Sequence, residues 1–401
     1  MSRKQLCALF LCSLVPWTVG NGLIPLLPVY AIQLGATPVL VGYYLACTYL
    51  ALAVGTIVAG GLSDRLQRRK MLLVAAGIVS IPLMWLMSRV TNVWHLAALT
   101  AAVWFCGGVG LSLISILAGL FAKEAERGKV FGVLSLTGAL GTLIGGLTMG
   151  SIADRWGYPT LFVGITLLLT LWPLTGLLLE DRVVARVQRG GVSTAGETPR
   201  LRGGFFLLLL ASITAGIAGL IGILGISLVM HKLGFASAAI SSTAAVGGAM
   251  TLPFLPLMGW LSDRFGRKRF MVICYLAGAA GLSVLAASVS LWHFWAAASL
   301  LYVLSFANRG VGSALVTDLV SQESLGVGMS LFSATPWVGG IIGFTVTGYA
   351  VQHLGTIATF ILGLSLALIA VILLIPIRQA GRKEGKEREE FTAPVSPSSA
   401  P

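Results

Sequence analysis

Arg309, with Asn308 beside it, stands inside an apolar stretch covering about residues 292–319, some ten residues from its end. In hydrocarbon a guanidinium at that depth costs at least about 2.5–3.5 kcal/mol, so it must face a partner or a wet cavity. Three roles fit: a cation holding an anion or dipole of a ligand, half of a structural ion pair or carbonyl clamp, or a side chain reaching back to the aqueous boundary. Other candidates for a cavity wall are Trp17, Asn21, Tyr44, Thr48 and Trp104 in the first half of the chain, and Asn308, Arg309 and Trp337 in the second. Aromatic walls with a few polar groups suit an amphipathic organic ligand. Each Trp or Tyr equally fits packing or interfacial anchoring, whereas the amide of Asn21 needs a partner in hydrocarbon.

No reaction centre competes with this reading. There is no Gly-rich loop ending in Lys for a nucleotide, and the four His residues (His95, His231, His293, His353) fall at separate loops or ends. The five cysteines (Cys7, Cys12, Cys47, Cys106, Cys274) are odd in number and lack metal-binding spacing. No enzyme activity, cofactor or metal is expected, and any driving energy would come from a gradient of protons or another ion.

A second set of charged residues occurs twice. Gly60-Gly-Leu62-Ser63-Asp64-Arg65-Leu-Gln67-Arg68-Arg69-Lys70 is echoed 199 residues later by Gly259-Trp-Leu261-Ser262-Asp263-Arg264-Phe-Gly266-Arg267-Lys268-Arg269. The echo extends along the chain: Leu34-Gly35 maps to Leu233-Gly234, Trp94-His95 to Trp292-His293, and Gly141, Gly145, Gly150 and Gly157 to Gly339, Gly343, Gly348 and Gly355. Two homologous halves are implied, each with a charged hinge between apolar stretches.

Those stretches must position the chemistry. Only 10% of residues are charged, 56% are hydrophobic and mean hydropathy is +0.92, where a soluble domain carries about 25% charged residues. Twelve apolar spans fall near 8–30, 39–62, 71–89, 94–121, 128–153, 159–179, 205–230, 237–262, 271–289, 292–319, 324–351 and 355–376. Each is long enough to cross about 30 Å of hydrocarbon at about 1.5 Å per residue. The first carries Pro16, Asn21, Pro25 and Pro28 and reads as a retained helix rather than a cleaved signal. The fold class is therefore an all-α integral membrane protein, with an N-terminal six-helix bundle (1–179), a linker (180–203), a C-terminal six-helix bundle (204–376) and a disordered tail (377–401).

The net charge of +13 raises nucleic acid as a partner, and the placement of the charge removes it. With the N-terminus taken as cytoplasmic, twenty-three Lys and Arg fall on that side and only Arg89, Arg155 and Lys232 on the other. That is a topology signal: a plasma-membrane protein with both termini in the cytoplasm, surrounded by the lipid bilayer and expected to act as a monomer.

The motifs resemble the major facilitator superfamily. Its loop 2–3 signature, G-x-L-[AS]-D-[RK]-x-G-[RK]-[RK], is matched throughout by residues 259–268, and residues 60–69 depart only at Gln67. Ile24-Pro25-Leu26-Leu27-Pro28-Val29-Tyr30 with Leu34-Gly35 looks most like the bacterial twelve-helix drug:proton antiporter branch. The resemblance implies two pseudo-symmetric bundles rocking about a central site, and it puts span ten, hence Arg309, among the helices lining the cavity.

The gating set on this reading is Gly60, Asp64, Arg65, Arg68, Arg69, Gly259, Asp263, Arg264, Gly266, Arg267, Lys268 and Asp318. Arg and Lys after each Asp can bridge to carboxylates or to helix C-terminal carbonyls, and Gln67 should stiffen the first hinge, since only Gly readily takes positive φ. Asp318, followed by Glu323, resembles the acid that pairs with the hinge of the same half, through Arg264, Arg267 or Arg269. Its first-half counterpart is Leu120, where Glu124 or Glu126 could substitute. Spans five and eleven carry Gly138-x-x-Gly141-x-x-x-Gly145-Gly146 and Pro336-x-x-Gly339-Gly340-x-x-Gly343, which permit close contact between halves. The middles of spans one, two, four, five, seven, eight and eleven contain no Asp or Glu, Asp154 lies at the outer end of span five, and the family's span-four Arg is absent near Trp104. Three functions follow: efflux of hydrophobic or amphipathic small organic solutes, with proton exchange as an option; carriage of a polar or anionic metabolite on Arg309; or a non-transporting membrane sensor.

Overall fold

The computed structural model describes residues 2–66, 68–122, 126–180, 203–321 and 324–377. Gln67, Glu124, Glu323, the side chain of Asp64, all but the ends of the expected linker and the tail beyond 377 lie outside the described residues. Within them the chain forms α1 (Arg3–Leu23), α2 (Leu27–Gln33), α3 (Pro38–Leu66), α4 (Arg69–Met87), α5 (Val93–Phe121), α6 (Arg127–Leu177), α7 (Gly203–Lys232), α8 (Ser237–Phe265), α9 (Arg267–Ala286), α10 (Leu291–Leu319), α11 (Leu325–His353) and α12 (Thr356–Leu374). Ten of these are long and apolar enough to cross a membrane, and α8 makes an eleventh when its bent parts are joined.

Helices and spans do not match one to one, for local reasons. The first span breaks between α1 and α2, where Pro25 and Pro28 remove backbone donors. Spans five and six are continuous in α6, whose 51 residues would reach about 77 Å if straight, more than twice the hydrocarbon thickness. The helix instead folds back at Gly157, which has φ 79° and ψ 165°. Its contacts with the first span trace the hairpin: Thr137 with Ser13 (2.7 Å), Thr142 with Asn21 (2.6 Å), Tyr158 stacked on Tyr30 (4.5 Å between centroids), then back to Thr175 with Cys12 (3.1 Å). Six spans thus lie before residue 180 and α7–α12 after residue 202.

The repeat seen in sequence is also a repeat of backbone conformation. Gly35 and Gly234 have φ of 87° and 80°, and Gly157 and Gly355 have 79° and 83°. Each pair makes the same left-handed turn in both halves, a conformation in which a Cβ would be strained.

Small residues join the two halves along two seams, α3 with α11 and α6 with α8. Gly42 lies against Phe344 O and Gly348, and Gly340 holds the ring of Tyr49. On the other seam Gly146 meets Ala245 and Ser241, Gly150 meets Ser237, and Gly248 meets Ala139 and Leu143. Such backbone-close contacts replace the hydrophobic driving force that is absent between helices in lipid. The expected glycine contact between halves is accordingly divided by helix face: Gly141 and Gly145 pack on α1, and Gly339 and Gly343 on α7, inside their own bundles, while Gly146, Gly150, Gly340 and Gly348 cross the interface.

These crossing contacts lie away from the two charged hinges. Closer to the hinges, Gly60, Gly61, Gly132, Gly259 and Gly326 have open space where a Cβ would be. The stripe on α11 that continues from Gly348, Phe344, Gly340 and Trp337 through Ser333 or Ala334 to Ser330 becomes exposed. Among the described residues, the molecule is closed on the face opposite the hinges (the far face) and open between the bundles on the hinge face.

Candidate functional site

The cleft that opens on the hinge face ends at a group of aromatic side chains near mid-depth. On α3, Tyr49 packs edge-on to Phe344 (4.8 Å between centroids) and Trp337 (6.3 Å) of α11. On α10, Tyr302 stacks on Phe306 (6.1 Å, 27°) and rests against Gly247 of α8. One turn further along α10 the Arg309 guanidinium lies 5.1 Å from the Phe306 ring centre, a cation–π arrangement, and within electrostatic reach of the Tyr49 and Tyr302 hydroxyls. Arg309 is ten residues from the end of α10, about 15 Å deep at 1.5 Å per residue, yet it is exposed. An exposed guanidinium facing tyrosines of both halves at that depth stands in an aqueous cleft rather than in lipid. Tyr302 also borders a separate narrow cavity, bounded by Ile24 and Pro25 at the α1–α2 break and by Ile223, Ile226, Thr243 and Ala244.

The remaining expected wall residues take other places. Asn308 is buried: its Oδ1 accepts from Tyr275 Oη (2.8 Å) and its Nδ2 donates to Ser212 O (3.0 Å), tying α10 to α9 and α7. Tyr44 and Thr48 are buried on α3, where Tyr44 Oη donates to Thr100 Oγ1 of α5 (3.3 Å) and Thr48 Oγ1 to Tyr44 O (2.9 Å). Trp104 is buried in the first-half core. Trp17 is half-buried against Gly138 and Gly141, and Asn21 Nδ2 donates to Thr142 Oγ1, so both serve the α1–α6 contact. Tyr49, Tyr302 and Phe306, which sequence reasoning passed over, form the cleft with Arg309 and Trp337. The signal that marks Tyr302 and Phe306 is their i+4 and i+7 spacing toward Arg309, which places all three on one helix face.

At the hinges, Gly266 has φ 87° and turns α8 into α9. Arg267, the first residue of α9, reaches Asp318 Oδ1 (2.6 Å), Ala314 O (2.7 Å) and Thr317 Oγ1 (3.3 Å) of α10, with Asp263 at 3.8 Å. Lys268 Nζ donates to Ile375 O (2.5 Å) and Ile377 O (2.8 Å), carbonyls at the end of α12. Arg264 lies over Trp260 (5.3 Å) and Arg269 is exposed. In the first hinge Arg69 Nε donates to Ser63 Oγ (2.9 Å), while Arg65 and Arg68 are exposed. The second hinge therefore binds its own bundle into a rigid unit, and no metal-binding group occurs among the described residues.

The profile of the Major Facilitator Superfamily matches residues 9–218 and again residues 204–400. The chain belongs to that superfamily. Among curated relatives of this major facilitator, the multidrug resistance protein MdtG of Serratia proteamaculans (strain 568) is 30% identical over 330 residues, covering 78% of this chain and 77% of that protein. MdtG of Salmonella choleraesuis (strain SC-B67) is 26% identical over 324 residues, covering 77% and 78%. Among solved structures, the nucleoside transporter NupG superposes with a TM-score of 0.74 over 94% of this chain and 98% of that one at 16% identity, a likeness of fold. A peptide transporter POT in complex with alafosfalin gives 0.74 over 92% and 93% at 13% identity. This major facilitator is thus a multi-pass membrane protein and a secondary transporter rather than an enzyme, belonging with the drug antiporter branch.

Proposed function

We propose that the chain exports hydrophobic and amphipathic organic compounds by alternating access and that Arg309 favours substrates with an anionic or electronegative end. The observation that carries this reading is the cleft itself: Tyr49, Trp337, Tyr302 and Phe306 around one deep guanidinium. The acids among the described residues, Asp64, Glu126, Asp154, Glu180, Asp263 and Asp318, all sit at helix ends or beyond them. A lipophilic cation would meet a like charge there with no carboxylate to offset it. The positive-inside bias assigns the hinge face to the cytoplasm of a plasma-membrane protein with both termini inside; the cleft then loads from the cytoplasm, as an exporter requires. The multidrug resistance relatives support the same direction. The chain works as a monomer on a gradient of protons or another ion. Arg309 also favours a second reading, a carrier of a polar, anionic metabolite.

Reconstitution in proteoliposomes with an imposed pH gradient tests both. Matched aromatic compounds bearing an anionic, neutral or quaternary ammonium group are compared with small non-aromatic anions. The expected result is movement of the anionic and neutral aromatic compounds, with anion transport falling about tenfold in Arg309→Ala and neutral transport little changed. Movement of the non-aromatic anions alone assigns the second reading, and movement of none of them overturns transport of this class.

A further inference from the structure

The far face carries, beside its close glycine packing, a pair of polar contacts between the halves related by the internal symmetry. Asp154, near the far-face end of the first limb of the α6 hairpin, reaches into the other half: its Oδ1 accepts from Ser237 N (2.9 Å) and its Oδ2 from Ala238 N (2.7 Å), the first turn of α8. The residue 198 positions later, Gln352 near the end of α11, does the same in reverse, its Oε1 accepting from Val39 N (3.1 Å) in the first turn of α3. Tyr158 Oη and Ser237 Oγ add a third contact beside Asp154 (3.3 Å).

The two contacts differ in chemistry. The first N–H groups of any helix lack intrahelical partners. At α3, Pro38 removes one of these donors and Thr37 Oγ1 accepts from Leu40 N (3.3 Å), so that helix is partly capped from within. At α8 the N-cap is Ala236, which has no side-chain oxygen. The missing cap comes from the opposite bundle as a two-point, charge-assisted contact with the positive end of the helix.

We infer that Asp154 and Gln352 are positioning residues of the transport cycle: symmetric latches, the Asp154 one stronger, that must open together for the far face to open. Neither residue touches the aromatic cleft. Because α8 starts with an uncapped Ala236, detachment of Asp154 exposes donors that nothing else in α8 satisfies, and this biases the molecule toward the state open on the hinge face. The inference rests on the seam geometry and is independent of the substrate's identity.

The test reads opening of the seam directly. Ser241 is fully buried on α8, where its Oγ donates to Gly146 O across the interface (2.8 Å). Ser241→Cys, in full-length protein with the exposed Cys7 and Cys47 changed to Ser, is labelled in nanodiscs by a polar maleimide only when α6 and α8 part. Asp154→Ala is expected to raise the labelling rate about tenfold, equivalent to about 1.4 kcal/mol. Asp154→Asn, which keeps an acceptor without the charge, should raise it about threefold, as should Gln352→Ala, and the effects of the two latches should multiply. Ala236→Ser separates a latch from simple destabilisation. It gives α8 its own cap, which raises thermal stability, but competes with Asp154 and so raises labelling about twofold or more. If Asp154→Ala fails to fold, Asp154→Asn and Ala236→Ser decide in its place. Labelling unchanged in the Asp154 variants, or Ala236→Ser labelling no faster than the parent, overturns the inference.

Discussion

Neighbouring residues 308 and 309 carry the most direct residue-scale test. Consecutive side chains on an α-helix point about 100° apart, so Asn308 faces Tyr275 and Ser212 in the bundle while Arg309 faces the cleft. Asn308→Ala leaves the buried Tyr275 hydroxyl without the acceptor it has here and removes the side-chain tie to the Ser212 carbonyl of α7, and the buried hydroxyl alone costs about 1–3 kcal/mol. Thermal unfolding in detergent should fall by several degrees, while the preference for anionic over neutral ligands is kept. Arg309→Gln should do the reverse, with stability near wild type and the charge preference lost. A common loss of stability in both would return Arg309 to a structural role. Trp337→Ala should weaken aromatic ligands by several-fold, since an aromatic pair contributes about 0.5–1.5 kcal/mol beyond buried area. Titration followed by quenching of the remaining tryptophans checks it. Arg309 and Trp337 were legible in the sequence because a charge in an apolar run, and a Trp among glycines, stand out without knowledge of rotation. Tyr44, Thr48 and Trp104 look equally apt on paper. Their place against α5 or in the bundle core depends on which side of the helix meets a neighbour, and the nearly uniform hydropathy of a buried membrane helix does not encode that.

Helices and turns carried more of their structure in plain view. Span lengths are local properties of apolar runs, and the glycine pairs 35/234 and 157/355, which in sequence mark only the repeat, each take a positive-φ turn in both halves. Less legible was the division of labour within one glycine-rich helix, where Gly141 and Gly145 serve α1 while Gly146 and Gly150 serve α8. This makes an element-scale prediction. A Cβ at Gly146 meets the backbone of Ala245 and Ser241, whereas Gly132 on the same helix faces open space. Gly146→Val should hold the α6–α8 seam apart on the far face, seen as fast labelling of Ser241→Cys. Gly132→Val should leave that labelling slow and instead block closure of the hinge face. Equal labelling of the two variants would show that these glycines do not define opposite ends of one seam. At the hinge itself, Gly266→Ala forces a side chain into φ near 87°, a strain of about 1–2 kcal/mol, and it should loosen the Arg267–Asp318 contact without touching the cleft.

At the scale of the whole molecule, the two bundles and their symmetry follow from the repeat. The sequence does not say which face is closed, because small residues line both ends of each seam. Closure of the far face is a property of this state: the contacts from Val39–Gln352 inward to Tyr49–Trp337 are made, and among the described residues the corresponding glycine surfaces near the hinges are apart. If transport is rocking about the aromatic site, the contacts made now must break in the other state. Val39→Cys with Gln352→Cys, joined by a short thiol-reactive linker in protein lacking Cys7 and Cys47, should fix the molecule in the state described here. The cross-linked protein is expected to bind aromatic ligands, because the cleft still opens on the hinge face, but to move none across a proteoliposome membrane until the linker is cleaved. Binding without transport locates the site in the half of the cycle that loads from the hinge face. Transport at the uncross-linked rate would show that the far-face seam never needs to open, and two rigid bundles rocking about Arg309 would then not describe this protein.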